Sequence, residues 1–383
     1  MRRIRASPGI EVRRAFKTLT RTAREVRMFV QAMHRPSDPI LANIVPVRRC
    51  NLACTYCNQY DQTSQPVPAG IMIHRLQRLI ELGTQIVTFT GGEPLLHPDL
   101  DLLTRTVREQ GAICTANTNG LLLTRAWIER LNRAGLDYLL VSIDNVEPDE
   151  TSSKSLKVLD RKLELLARYA HFEVTVNSVL GTGVSNPEDA YRIAVRATEL
   201  GFTSTIGLLH GEGGQLVQIG DKHREVYRRL QQLKRGGLFS FAHYDSFQNN
   251  LVNGLPNQWH CVAGGRFLYI CEDGLVHYCS QRRGKPGIPL EQYTREDIRR
   301  EGAGTKACAP FCTIPCVHQT SMLDSFRTDP QGALQGIVDR KKALDPDFRT
   351  PVGVQFLERL FLKSRYRKLW STMAVRAFGR ERS

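Results

Sequence analysis

Three cysteines in one short stretch, Cys50-Asn51-Leu52-Ala53-Cys54-Thr55-Tyr56-Cys57, pose the first chemical question. The spacing C-x3-C-x2-C puts three thiolates on one tight loop. They can ligate three irons of a cubane and leave the fourth iron open to an external ligand. A ferredoxin-type cluster usually takes four cysteines, and a structural zinc site normally takes four protein ligands, commonly from C-x2-C pairs. The lone triplet therefore points to a cluster with an open iron, with zinc as the alternative. Downstream lies Thr90-Gly91-Gly92-Glu93-Pro94. Glycines let the backbone approach a ligand closely, and the Glu93 carboxylate can pair with an ammonium group. Further polar groups follow in Asn117-Thr118-Asn119-Gly120, Ser142-Ile143-Asp144 and Asn177-Ser178-Val179-Leu180.

A second cysteine set begins at Cys261 and runs through Cys271 and Cys279 to Cys308, Cys312 and Cys316. Asp273-Gly274 sits between alternating runs (Phe267 and Tyr269, then Leu275 and His277), which signals a hairpin. Such a hairpin brings Cys261 and Cys279 together at its open end, and the spacing C-x3-C-x3-C supplies further thiolates. A zinc knuckle is the alternative for this unit. Cys271, just before the turn, reads as structural, and Cys114, in an apolar strand, as core.

These residues need elements to position them. Candidate strands cover 41–48, 86–90, 112–118, 138–144, 172–180 and 204–209, with helical patterns near 69–82, 98–110, 124–134, 155–170 and 187–200. The alternation predicts an α/β fold with a parallel sheet and helices outside. Six units are fewer than the eight of a closed barrel, so a partial (β/α)6 TIM-like barrel is expected, with a small Cys-rich β-hairpin/α domain after it. In such folds chemistry collects at the C-terminal strand ends, where the first cysteine triplet, Glu93, Asn119, Ser142, Asp144 and Asn177 fall. The expected organisation is a basic amphipathic helix within 1–40, the barrel at 41–210 and a connector with one helix at 211–255. The cysteine-rich unit at 256–325 and a helical basic tail at 326–383 complete it.

The triplet, with an aromatic before its last cysteine, and the GGEP stretch resemble the radical S-adenosylmethionine (SAM) superfamily over residues 43–320. The resemblance implies that Cys50, Cys54 and Cys57 hold a [4Fe–4S] cluster whose open iron is chelated by SAM. It implies that Tyr56 packs near adenine, that Gly91, Gly92 and Glu93 contact the SAM ammonium, and that Asn119, Ser142 and Asn177 contact SAM, while Asp144 faces the substrate. The pattern C-x12-G-x4-C resembles the opening of the SPASM and Twitch auxiliary-cluster extensions. It implies a second [4Fe–4S] cluster held by Cys261, Cys279 and two of Cys308, Cys312 and Cys316, the choice of two being open. A flavodoxin or ferredoxin is the implied electron donor. The expected reaction is reductive SAM cleavage, hydrogen abstraction from a C–H bond and an oxidative outcome. A non-catalytic iron–sulfur or SAM-binding protein is the competing class.

The net charge of +15 is concentrated at the two ends: residues 1–35 carry +8 and residues 359–383 carry +7, with a neutral body between. Val12, Phe16, Leu19, Ala23, Val26, Val30 and Met33 recur at helical spacing among arginines, and Phe356, Leu360, Phe361, Leu369, Trp370, Met373 and Phe378 lie in the basic tail. Two readings follow: the apolar stripes pack on the barrel, or they meet an anionic membrane surface. No recognised RNA-binding module appears, so nucleic acid ranks last. Forty residues precede the first strand, too few for the leader-binding domain of many peptide-modifying relatives. A lipid or other small-molecule substrate is thus expected ahead of a peptide. With no signal sequence and no apolar run of membrane-spanning length, the expected place is the cytoplasm, peripheral on the membrane. Ten cysteines there argue for metal ligation.

Overall fold

The computed structural model describes residues 8–344 apart from 182, 185, 212–215, 218 and 234–244, together with residues 355, 359, 371 and 372. The apolar and basic positions singled out in the C-terminal tail lie outside the described residues, except Arg359.

Six parallel strands form the body: β1 (Leu41–Val47), β2 (Ile86–Gly91), β3 (Ile113–Thr118), β4 (Tyr138–Ser142), β5 (Glu173–Leu180) and β6 (Thr203–Leu208). They pair in chain order, each hydrogen-bonded to the next. All seven residues of β1 are buried, the pattern of a strand covered on both faces. Helix α1 (Pro8–His34) precedes the sheet, and α2 (Ala69–Glu81), α3 (Leu100–Glu109), α4 (Arg125–Ala134), α5 (Leu156–Tyr169) and α6 (Glu188–Glu199) connect the strands. These connecting helices are amphipathic. Leu76 and Leu79 of α2, Leu103 and Val107 of α3, Leu131 of α4 and Leu163 and Leu166 of α5 are at most 1% exposed and form one core with Val87, Phe89, Val141 and Val176 from the strands. Local signals set the ends of α4: Thr124 accepts a hydrogen bond from the Trp127 N–H, and Gly135 takes φ +90° past the last turn.

The connector holds two helices where one was expected, α7 (Asp221–Leu233) and α8 (Asp245–Val252). The Cys-rich unit then continues the same sheet. Strand β7 (Phe267–Ile270) pairs in parallel with β1, and β8 (Leu275–His277) and β9 (Pro286–Pro289) follow antiparallel, giving the order β6-β5-β4-β3-β2-β1-β7-β8-β9. The hairpin turns at Asp273-Gly274, with Gly274 at φ +82°. After it come α9 (Arg295–Ala303), α10 (Pro315–Thr328) and α11 (Pro330–Leu344). The second cysteine set is thus attached by strand pairing to the strand that ends at the first.

Candidate active site

The loop after β1 is clamped at both ends. Cys50 N–H donates to Asp61 O (2.9 Å) and Asp61 N–H to Arg48 O (3.2 Å), so residues 50–61 form a closed lobe over the strand end. Within it, Cys57 N–H turns back to Cys54 O (3.1 Å). Gly92 and Glu93 close against the lobe's base: Gly92 N–H donates to Val47 O and Glu93 N–H to Arg49 O. A Cβ on Gly92 would meet the Arg48 and Arg49 carbonyl oxygens at 2.2 and 2.3 Å, and one on Gly91 would meet Val45 at 2.4 Å. Gly91 also sits at φ +111°. Gly92 is therefore required by the close approach of two backbones, and Gly91 by its left-handed conformation against the Val45 side chain.

Glu93 is fully buried. Its Oε1 accepts from Leu95 N–H (3.0 Å) and the Thr118 hydroxyl (2.7 Å), and its Oε2 accepts from Asn119 N–H (2.8 Å). Burial pushes its carboxyl up, against those donors and the nearby Lys154 charge. In this arrangement Glu93 joins the ends of β2 and β3. Asn119 Nδ2 lies 3.7 Å from Cys50 Sγ and donates to Asn51 Oδ1 (2.7 Å). Ser142, at the end of β4, is the register partner of Asn177, three residues before the end of β5, and Asn177 Oδ1 accepts from Thr205 Oγ1 (3.0 Å).

A group absent from the sequence reading completes the site. Lys154, in the loop after β4, donates to Tyr56 Oη (2.5 Å) and pairs with Asp144 Oδ2 (3.0 Å), while Tyr56 donates to the same carboxylate oxygen (2.5 Å). Burial opposes the Lys154 charge, but Asp144, Tyr56 and Cys54 hold its pKa well above the ordinary value. Burial raises the Tyr56 phenol, so it stays protonated. The other oxygen, Asp144 Oδ1, is buried and has no hydrogen-bond partner, a group that awaits one. Nearby, Cys54 Sγ lies 3.5 Å from Ser152 Oγ. No periodicity or motif marks Lys154; only the fold brings it to Tyr56.

In the second set, Cys261, Cys271 and Cys279 share a buried cluster with Ala309 and with Leu41 and Val45 of β1. Trp259 Nε1 donates to Ala309 O (2.7 Å), tying the 308–312 loop to the hairpin. Burial raises the Cys279 thiol to about 11, helped by the charges of Cys261 and Cys308. It raises Cys312 as well, helped by Cys279, Cys261 and Cys308. Burial raises the Cys316 thiol, on the first turn of α10, to about 11, against a hydrogen bond from the Asn43 side chain. Cys312 is buried, whereas Cys308 and Cys316 are half-buried, and Cys316 packs against the cluster of Cys261 and Cys279.

Contacts link the two sets. Tyr269 donates to Gln59 Oε1 (3.0 Å), Asn58 Nδ2 to Gln281 Oε1 (3.0 Å), Arg283 to Asn58 O (2.5 Å), and Arg48 pairs with Glu272 (2.9 Å). Among the described residues, Cys271, Asp273 and His277 form one compact group of ligating atoms, within 4.8 Å of one another. His277 Nδ1 accepts the Gly284 N–H (2.9 Å), so Nε2 carries the proton of the neutral ring and offers no lone pair to a metal. Cys114 is fully buried in the barrel core.

Residues 44–215 match the model of the Radical SAM superfamily. The chain carries a radical SAM domain. Over 149 residues it is 32% identical to GTP 3',8-cyclase of Chlorobaculum tepidum, an alignment covering 36% of this chain and 44% of that enzyme. Over 117 residues it is 32% identical to PqqA peptide cyclase of Gluconobacter oxydans, covering 30% and 33%. It spans less than half the length of these relatives. The crystal structure of Streptococcus suis SuiB bound to precursor peptide SuiA shares the fold, with TM-score 0.52, 16% identity and coverage of 68% of this chain and 65% of that one. The family uses a [4Fe–4S] cluster and SAM, and the radical SAM domain's curated relatives are enzymes.

Proposed function

We propose that this protein is a radical SAM enzyme with one auxiliary [4Fe–4S] cluster. The observation that carries the reading is the lobe of Cys50, Cys54 and Cys57, seated on the Gly91-Gly92-Glu93 strand end with the unpartnered Asp144 Oδ1 beside it. Three thiols to which no fourth protein ligand is joined among the described residues, with an orphaned buried acceptor beside them, fit a cluster with SAM on its open iron. Bound there, cluster and SAM supply the electron and the hydrogen-abstracting radical. The chain's own residues do the rest. Glu93 holds two strand ends in register, Tyr56 fixes Lys154 against Asp144, and Asn119 steadies Cys50 through Asn51. Asp144 Oδ1 is free to accept a hydrogen bond from SAM or substrate, and Ser142 at the end of β4 with its register partner Asn177 within β5 offers further polar groups. Lys154 is the buried cation beside Cys54 and offsets negative charge there.

At the second site, Cys261, Cys279, Cys308 and Cys312 supply four thiolates for the auxiliary cluster. An all-thiolate set suits an iron–sulfur cluster or zinc. The contacts of Asn58 with Gln281 and Arg283 support a position near the cysteine lobe, where an electron acceptor would favour an oxidative outcome.

For the substrate, a peptide is the better-supported class than the lipid expected from the basic ends. PqqA peptide cyclase is among the relatives, and a protein solved with its precursor peptide shares the fold. The test supplies perdeuterated peptide or lipid extract with SAM, reductant and enzyme. Deuterium should enter 5'-deoxyadenosine from the peptide pool; transfer from the lipid pool alone would overturn the substrate class. No 5'-deoxyadenosine under any condition would overturn the enzyme reading.

A further inference from the structure

Helix α1 binds the barrel the wrong way round. The connecting helices bury leucines, but α1 turns its cations inward. Arg14 donates to Ala170 O (2.7 Å) and Ala167 O (2.8 Å), Lys17 to Leu136 O (the two in contact), Arg21 pairs with Glu173 (2.6 Å) and Arg24 with Asp137 (2.5 Å). Most of its apolar stripe is left outside, with Val12 71%, Phe16 69%, Leu19 69% and Val26 51% exposed, while Met33 in the last turn is buried against Ile40. Beside it lies a shallow groove of about 570 Å³, lined by Val12, Phe16, Arg13, Lys17, Arg133 and His171 among others, with no carboxylate in its wall.

We propose that this outward face of α1, with its groove, docks on an anionic phospholipid surface. An apolar row flanked by Arg13 and Arg133, for which no ion pair appears among the described residues, is the arrangement that seats at the headgroup boundary. Charge decides against the two nearest alternatives. The groove wall carries cations and no carboxylate, and residues 359–383 carry +7, so neither the chain's own basic tail nor the same face of a second copy complements the site, whereas a phosphate-rich surface does. No described helix is long and apolar enough to cross a membrane, so the contact is peripheral.

The placement also fixes orientation. Leu136, Asp137, Ala170 and Glu173 stand at or just before the starts of β4 and β5, while Cys50, Glu93 and Asp144 follow strand ends, about 20 Å away along strands of six residues. A docked molecule holds the bilayer at the base of the barrel and opens its site away from it. Membrane attachment then localises the enzyme without delivering lipid to the radical.

The test is co-sedimentation of the full chain with vesicles of phosphatidylglycerol and phosphatidylcholine, or of phosphatidylcholine alone, at low and high salt. Anionic vesicles should bind it, neutral ones much less, and high salt should weaken binding as screening shortens. The double variant Phe16→Glu, Leu19→Glu should bind at least tenfold more weakly, and Arg13→Glu, Arg133→Glu several-fold. Both should keep the parent Tm and 5'-deoxyadenosine formation, because the altered side chains touch neither core nor site. Absence of binding to anionic vesicles at low salt would overturn the proposal, as would undiminished binding by Phe16→Glu, Leu19→Glu. Two further results would also overturn it. One is a parent dimer that this variant dissociates, meaning a second copy covers the face. The other is vesicle binding only after removal of residues 345–383, meaning the tail covers it.

Discussion

The two cysteine sites differ in what encloses them. The first puts three thiols on a single loop of eight residues, joins no fourth protein ligand to them among the described residues, and sets beside them Glu93, Asn119 and Asp144, which follow the ends of β2, β3 and β4. The second would draw thiols from two distant segments: Cys261 and Cys279 at the hairpin flanks and Cys312, all three buried, with the half-buried Cys308 on the same loop as Cys312. A loop that supplies three ligands by itself keeps a coordination position for chemistry; a pocket closed by four suits electron storage. The same element type, a thiolate, serves opposite ends because one site faces the barrel mouth and the other is packed against β1.

That contrast can be broken by single substitutions. The largest effect belongs to Cys54→Ala, which should abolish 5'-deoxyadenosine formation with SAM and reductant, since the open iron site is lost. Cys279→Ala should spare SAM cleavage and stop product formation, measured as 5'-deoxyadenosine against modified substrate in one reaction. Equal loss of both would mean that residue 279 is needed for the fold. Next comes Lys154→Met. It leaves Asp144 buried without its cation, a change worth about 3–5 kcal/mol when one partner of a buried pair is removed. Thermal melts of the apo protein should show the loss, and Tm unchanged would mean that the pair is unimportant to the folded lobe. The smallest effect on stability and iron content is expected of Cys316→Ser, which should keep the auxiliary iron that Cys312→Ala loses.

Much of this was legible beforehand for physical reasons. Strand starts and ends fall within two residues of the expected limits because buried parallel strands are near-continuous apolar runs that stop where polar groups begin. Asp273-Gly274 turns where expected because its backbone demands a residue that tolerates φ +82°. Other features depend on contacts between distant segments. The pairing of β7 with β1 joins residues over two hundred positions apart in sequence. Lys154 stands alone in a polar loop. The equal spacings around Cys312 give Cys308 and Cys316 the same sequence signature. For α1 the helical pattern marks two faces without saying which one meets the barrel, and here cations find backbone carbonyls and carboxylates at the strand starts.

The measurement that bears most directly on the two-site account is the iron content of anaerobically reconstituted protein. Wild type should hold about eight irons per chain as two cubanes. The triple variant Cys50→Ala, Cys54→Ala, Cys57→Ala and the variant Cys312→Ala should each hold about four. A wild-type value near four that Cys312→Ala leaves unchanged, or stoichiometric zinc in place of the second cluster, would contradict it.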